Sequence, residues 1–124
     1  MFGLGKEKHQ ETPLGPATVR DGLVTVLSWR YRGILVEVAW PETSPCPAER
    51  FAIIRDDFDR LMQAALTFLG VDEFPPELRT VVPEQIEFGE GDDWALTFHC
   101  LESPDAWWTV KFHDGKPERM HHGD

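Results

Sequence analysis

Several things are scarce in this chain, and each shortage excludes a class of protein. Among 124 residues there are two cysteines, Cys46 and Cys100, and no C-x-x-C pair. That excludes a disulfide framework and the common zinc spacings. No apolar run approaches the roughly 20 residues that span a bilayer, so no membrane helix is expected. No serine sits in a G-x-S-x-G elbow. Gly3-Leu4-Gly5-Lys6 lacks the preceding strand, the spacing and the Ser or Thr of a phosphate loop. Gly89-Glu90-Gly91-Asp92 sets carboxylates where a dinucleotide would need bare amides. No cofactor is expected. Residues 1–8 hold no hydrophobic stretch of signal-peptide length, which predicts a cytoplasmic protein with reduced thiols.

Cations are scarce where they would matter for nucleic acid. The formal net charge is −10. Residues 1–60 are nearly balanced, with nine acids and eight bases, whereas residues 61–110 carry ten acids against Arg79 alone. A field of that sign repels phosphate backbones and anionic lipid, so neither nucleic acid nor a membrane surface is an expected partner. A basic protein partner is favoured, by attraction and by faster encounter.

What is present is periodicity. Residues 1–16 are polar, with Gly3, Gly5, Pro13, Gly15 and Pro16, and read as a flexible N-terminal arm ahead of one domain over residues 17–124. Leu23 to Tyr31 and Ile34 to Trp40 alternate with period two about a turn at Arg30-Tyr31-Arg32-Gly33, as an antiparallel hairpin does. Pro41 ends it, and residues 41–50 read as a proline-rich loop. Over Asp56 to Leu69, Phe58, Leu61, Met62, Ala65, Leu66 and Leu69 form one helical stripe, with Asp56 as cap and Gly70 as the left-handed stop. Gln85–Phe88, Trp94–Leu101 and Trp107–His113 read as strands. Asp114-Gly115 signals a further hairpin whose register would set Lys111 opposite Glu118. The expected fold is a two-layer α+β domain, β-β-α-β-β-β with a possible sixth strand, in which one amphipathic helix covers one face of a mostly antiparallel sheet.

The search for chemistry leaves three readings. The leading one is a small, acidic, non-enzymatic interaction module. Trp107, beside Trp108 in a strand, must point away from the core. With Glu87, Glu90, Asp92, Asp93, Glu102 and Asp105 it would form an anchor-and-steer patch for a basic protein surface. An inhibitor or immunity-type protein that plugs a nuclease is one version of that reading. The second uses His99 and His113, outward on neighbouring strands, as metal ligands or as general acid and base with Lys111. No recurrent zinc spacing fixes their geometry, and the spacing of Glu87, Glu90, Asp92 and Asp93 does not follow a calcium loop. His99 and Cys100 are adjacent in a strand and face apart, so they cannot pair, and Cys100 reads as a core residue. The third reading is a structural subunit or homodimer that pairs its uncovered sheet face.

Overall fold

The computed structural model describes residues 7–75, 80–89 and 91–123. Eight strands make one sheet in chain order: β1 (Lys8–Thr12), β2 (Gly15–Arg20), β3 (Leu23–Tyr31), β4 (Ile34–Pro41), β5 (Val81–Phe88), β6 (Trp94–Cys100), β7 (Trp107–His113) and β8 (Lys116–Gly123). Two helices, α1 (Ala48–Asp56) and α2 (Phe58–Leu69), lie between β4 and β5. The expected β-β-α-β-β-β fold with one helix is therefore wrong in both layers. Among the described residues strand accounts for 51% and helix for 22%, so the sheet sets the architecture.

Tight turns explain why most of the sheet is a meander. Asp21-Gly22, Arg32-Gly33 and Asp114-Gly115 each place two successive residues at positive φ, the backbone that matches the twist of a two-residue hairpin. Six of the seven strand pairings are antiparallel. The exception is β4 with β5, which run parallel with Val38 beside Ile86. Parallel neighbours need a long crossover, and the helix pair supplies it. Each half of the chain is thus a four-stranded meander, and the two join at that central seam.

The expected N-terminal arm is largely built into the sheet. Residues 8–12 and 15–20 form β1 and β2, closed by a turn in which the Thr12 hydroxyl donates to the Gly15 carbonyl at 2.8 Å. Ala17 and Val19 of β2 are buried. Residues 1–6 lie outside the described part.

The loop expected at 41–50 gives way to α1 at Ala48. Pro47 stands just before the first helical residue, where proline's missing N–H costs nothing, and its carbonyl accepts the Phe51 N–H at 2.8 Å. Only Phe51 and Ile54 of α1 are buried, too narrow a stripe for periodicity to reveal. The helices are separate because Asp57 leaves helical geometry (φ −116°, ψ 17°). Its carboxylate accepts from Arg60 Nε at 2.8 Å, and its carbonyl starts α2 by accepting the Leu61 N–H at 3.1 Å. Gly70 ends α2 at φ 72°, as its sequence position predicts.

Both helices cover one sheet face. Val36, Val38, Ile86, Leu96 and Val110 fill the centre of that face, and Phe58, Leu61, Ala65 and Leu69 of α2 bury against it. Aromatic rings close its ends. Trp29 meets Phe51 and Phe58 edge-on at 5.2 and 4.9 Å, and Trp94 stacks on Phe112 at 4.2 Å. Cys100 is buried, as expected of a core thiol. The other face carries mostly polar residues with Leu27 and Trp107 among them, and no helix covers it among the described residues. Among the described residues no helix is long and apolar enough to cross a membrane.

Candidate functional site

The structure separates the acidic residues that the sequence suggested as one patch. Asp92 and Asp93 lie in the β5–β6 turn, whereas Glu102 and Asp105 lie in the β6–β7 turn. Those turns sit at opposite ends of β6, whose seven residues span about 23 Å. Trp107 is 39% exposed at the Glu102 end, on the open face opposite His99. Glu87 stands on the open face beside Ala95. Glu90 lies outside the described residues.

Two of those carboxylates already have structural partners. Glu102 accepts the Thr80 N–H at 3.2 Å, the Thr80 hydroxyl and the Cys100 thiol at 3.1 Å. The Thr80 and Cys100 donors hold its carboxyl below the usual range, because they stabilise the charged form. Glu102 therefore ties the start of β5 to the end of β6. Asp93 faces His113, with Nδ1 and Oδ1 2.5 Å apart. Its carbonyl accepts the Gly89 N–H at 3.0 Å and Arg50 Nη2 at 3.1 Å. The hydrogen bond and charge of Asp93 raise the His113 pKa, with Glu118 and Asp114 adding to the effect.

His99 and His113 do not form a joint site. His99 pairs with Trp107 at one end of the β6–β7 ladder, and His113 lies beyond the Trp94–Phe112 pair at the other. His99 Nδ1 stands 3.2 Å from Glu84 Oε1, out of line for a hydrogen bond. Among the described residues no group of three His, Cys, Asp or Glu side chains could hold a metal ion.

The structure brings together a different set. A cleft of about 360 Å³ opens where α1 and α2 meet the β5–β6 and β7–β8 turns. Ile54, Leu61 and Trp94, all nearly buried, form its floor, and Ile53 stands at the mouth 71% exposed. Asp57, Asp92 and Asp114 supply three carboxylates and Arg50 and Arg60 two cations. The cations are engaged: Arg60 bonds Asp57, and Arg50 lies 4.9 Å over the Phe88 ring while donating to the Asp93 carbonyl. Asp92 and Asp114 make no ion pair among the described residues. Such a cleft can seat an apolar side chain on Ile53 and Trp94 and a cation beside its aspartates.

Of this set the sequence pointed to Asp92 alone. Ile53 was hidden because α1 shows no stripe, and Asp114 read only as a turn residue. An exposed isoleucine in Ala-Ile-Ile-Arg, out of phase with Phe51 and Ile54, is the signal that could have found it. A wider groove of about 740 Å³ crosses β2 to β4 on the open face, lined by Thr18, Arg20, Leu23, Thr25 and Glu37. A bulge between Val26 and Trp29 turns Leu27 into it, 55% exposed.

No family model matches the chain, and no solved structure matches it. Over 83 residues it is 32% identical to a 2,3,4,5-tetrahydropyridine-2,6-dicarboxylate N-succinyltransferase of Salinispora tropica. The matched segment is 67% of this chain and 24% of that enzyme. The chain thus spans about a quarter of the length of the curated relative it matches.

Proposed function

We propose that the protein is a recognition module that docks a basic segment of a partner protein in the cleft between its helix pair and the β5–β6 and β7–β8 turns. The observation that carries this reading is Ile53. An isoleucine 71% exposed over an apolar floor, in a cleft that Asp92 and Asp114 also line without an ion pair among the described residues, suits an apolar anchor flanked by Lys or Arg. The net charge of −10 speeds the encounter with such a partner. The partner-binding set is accordingly Ile53, Trp94, Asp92 and Asp114, in place of the dispersed set drawn from the sequence. Neither the fold nor the likeness to the succinyltransferase adds to the inhibitor or immunity version.

The test is photo-crosslinking in the native source. A benzoylphenylalanine at position 53 should trap a basic protein, and the same group at position 27 on the open face should not. Trapping at position 27 alone would refute the assignment.

The succinyltransferase match supports a second reading, in which this fold is an accessory module carried by longer enzymes. On that reading the isolated chain shows no succinyl transfer but binds the remainder of such an enzyme.

A further inference from the structure

The hairpin β7–β8 carries a second surface of opposite sign. Trp108, Val110 and Phe112 face the core, so Trp107, Thr109, Lys111 and His113 face the open side. The register sets His113 opposite Lys116, Lys111 opposite Arg119, Thr109 opposite His121 and Trp107 opposite Gly123. A bulge after Lys111 brings Arg119, not the expected Glu118, across from it. Two like charges directly opposite on one sheet face destabilise the pairing.

Among the described residues no ion pair relieves this repulsion, although Asp93, Asp114 and Glu118, the residue the bulge adds beside Arg119, act on His113 at the turn end of the surface. Lys111, Lys116 and Arg119 are exposed, and none makes an ion pair among the described residues. The next open-face acid in that row is Glu87, two strands away past Ala95, or about 10 Å. Among the described residues β8 is also an edge, with β7 as its one neighbour in the sheet order, so no described strand pairs with its outer backbone groups. Pro117 has no N–H to offer, which confines further pairing to the residues after it. Trp107, 39% exposed, closes the far end of the same surface.

The geometry points to this edge as the docking site for an acidic, extended polypeptide segment that adds to β8 as a ninth strand. Its carboxylates, at alternate positions, meet Arg119 and His121 across the new ladder and offset the Lys111–Arg119 repulsion. Backbone pairing supplies affinity, and the cation row selects for acid. This surface is separate from the cleft and takes a partner of the opposite charge.

The probe is a fluorescein-labelled peptide of alternating Glu and Thr, followed by anisotropy at low salt. An alternating Lys-Thr peptide and a single-stranded thymidine oligonucleotide serve as comparisons. The wild-type chain should bind the Glu-Thr peptide and neither of the others. Lys111→Glu with Arg119→Glu should weaken that binding by about tenfold or more, the effect of reversing two exposed charge contacts. Lys111→Thr with Arg119→Thr, which keeps strand propensity, should weaken it less, and Asp21→Asn in the β2–β3 turn, towards the other end of the sheet order, should not. Arg119→Glu alone should raise the melting temperature while lowering the affinity, because it replaces a like-charge pair with an opposite one. No Glu-Thr binding by the wild type, equal binding by the reversed variant, or equal or tighter binding of the oligonucleotide would overturn the proposal.

Discussion

Phe58 is the residue through which α2 is seated, and its removal has a calculable cost. The ring is buried at the first turn of α2 and meets Tyr31 and Trp29 edge-on at 4.7 and 4.9 Å. Phe58→Ala leaves a cavity that α2 cannot fill, because Leu61 and Ala65 are already buried against the sheet. A core Phe→Ala change costs about 4 kcal/mol. With a urea slope of about 2 kcal/mol per molar for a domain of this size, the unfolding midpoint should fall by about 2 M. Ile53→Ala is the matched control. Ile53 belongs to the same helix pair but is 71% exposed, so stability should change by no more than about 0.5 kcal/mol. Urea unfolding followed by tryptophan fluorescence reads both variants, since Trp29 touches Phe58. A Phe58→Ala cost below about 1 kcal/mol, or an Ile53→Ala cost as large as that of Phe58→Ala, would refute the seating of α2 and the reading of Ile53 as a free anchor.

Other consequences can be measured separately. Gly70→Ala forces a Cβ into a left-handed cap at φ 72° and should cost about 1 kcal/mol, read as a melting point several degrees lower. His113 has its pKa raised by Asp93, so the stability it contributes is complete below its unfolded value near 6.5 and is lost as pH rises through the higher folded value. An NMR titration should show Asp93→Asn lowering the His113 pKa, and an unchanged titration would contradict the pairing. Glu102 has its pKa lowered by Thr80 and Cys100, so its contribution is present above the unfolded value and is lost as pH falls through the folded one. Glu102→Gln should therefore flatten the acid limb of the stability curve. Asp92→Asn with Asp114→Asn should slow association with the basic partner and reduce its salt dependence, with little change in melting temperature, because asparagine accepts the positive φ of Asp114.

Strands that alternate and turn on Gly were legible in the sequence: β3, β4, β6, β7 and the hairpin into β8 all lie where period two and Arg32-Gly33 or Asp114-Gly115 placed them. α2 and its Gly70 stop were equally plain, because six apolar residues fall on one stripe. What failed was local signal that tertiary structure overrode. β1 is exposed from Lys8 to Glu11, so it shows no alternation, and only pairing with β2 makes it a strand. Asp21-Gly22 is a hairpin signal as strong as Asp114-Gly115, and it marked β2. α1 buries two side chains, and Pro45 and Pro47 disguised its start. Pro83 is fully buried at a bulge inside β5, which hid the first half of that strand. The parallel seam could not be read from strand patterns, because it depends on how long the crossover is.

The candidate site was less legible than the fold for a related reason. Residues 84–105 are close in sequence, but a seven-residue strand runs between the two turns and carries their carboxylates to opposite ends. Sequence proximity became spatial separation. The cleft formed instead from residues 50–61, 92–94 and 114–115: the β6–β7 pairing sets the last two segments side by side, and the helical crossover adds the first.

An amide chemical-shift titration of the labelled protein with a Lys- and Leu-containing peptide tests the account most directly. The largest shifts should fall on Ile53, Asp57, Asp92, Trp94 and Asp114, and should vanish in Ile53→Asp. Shifts confined to the open face, around Thr25, Glu37 and Leu27, would contradict it.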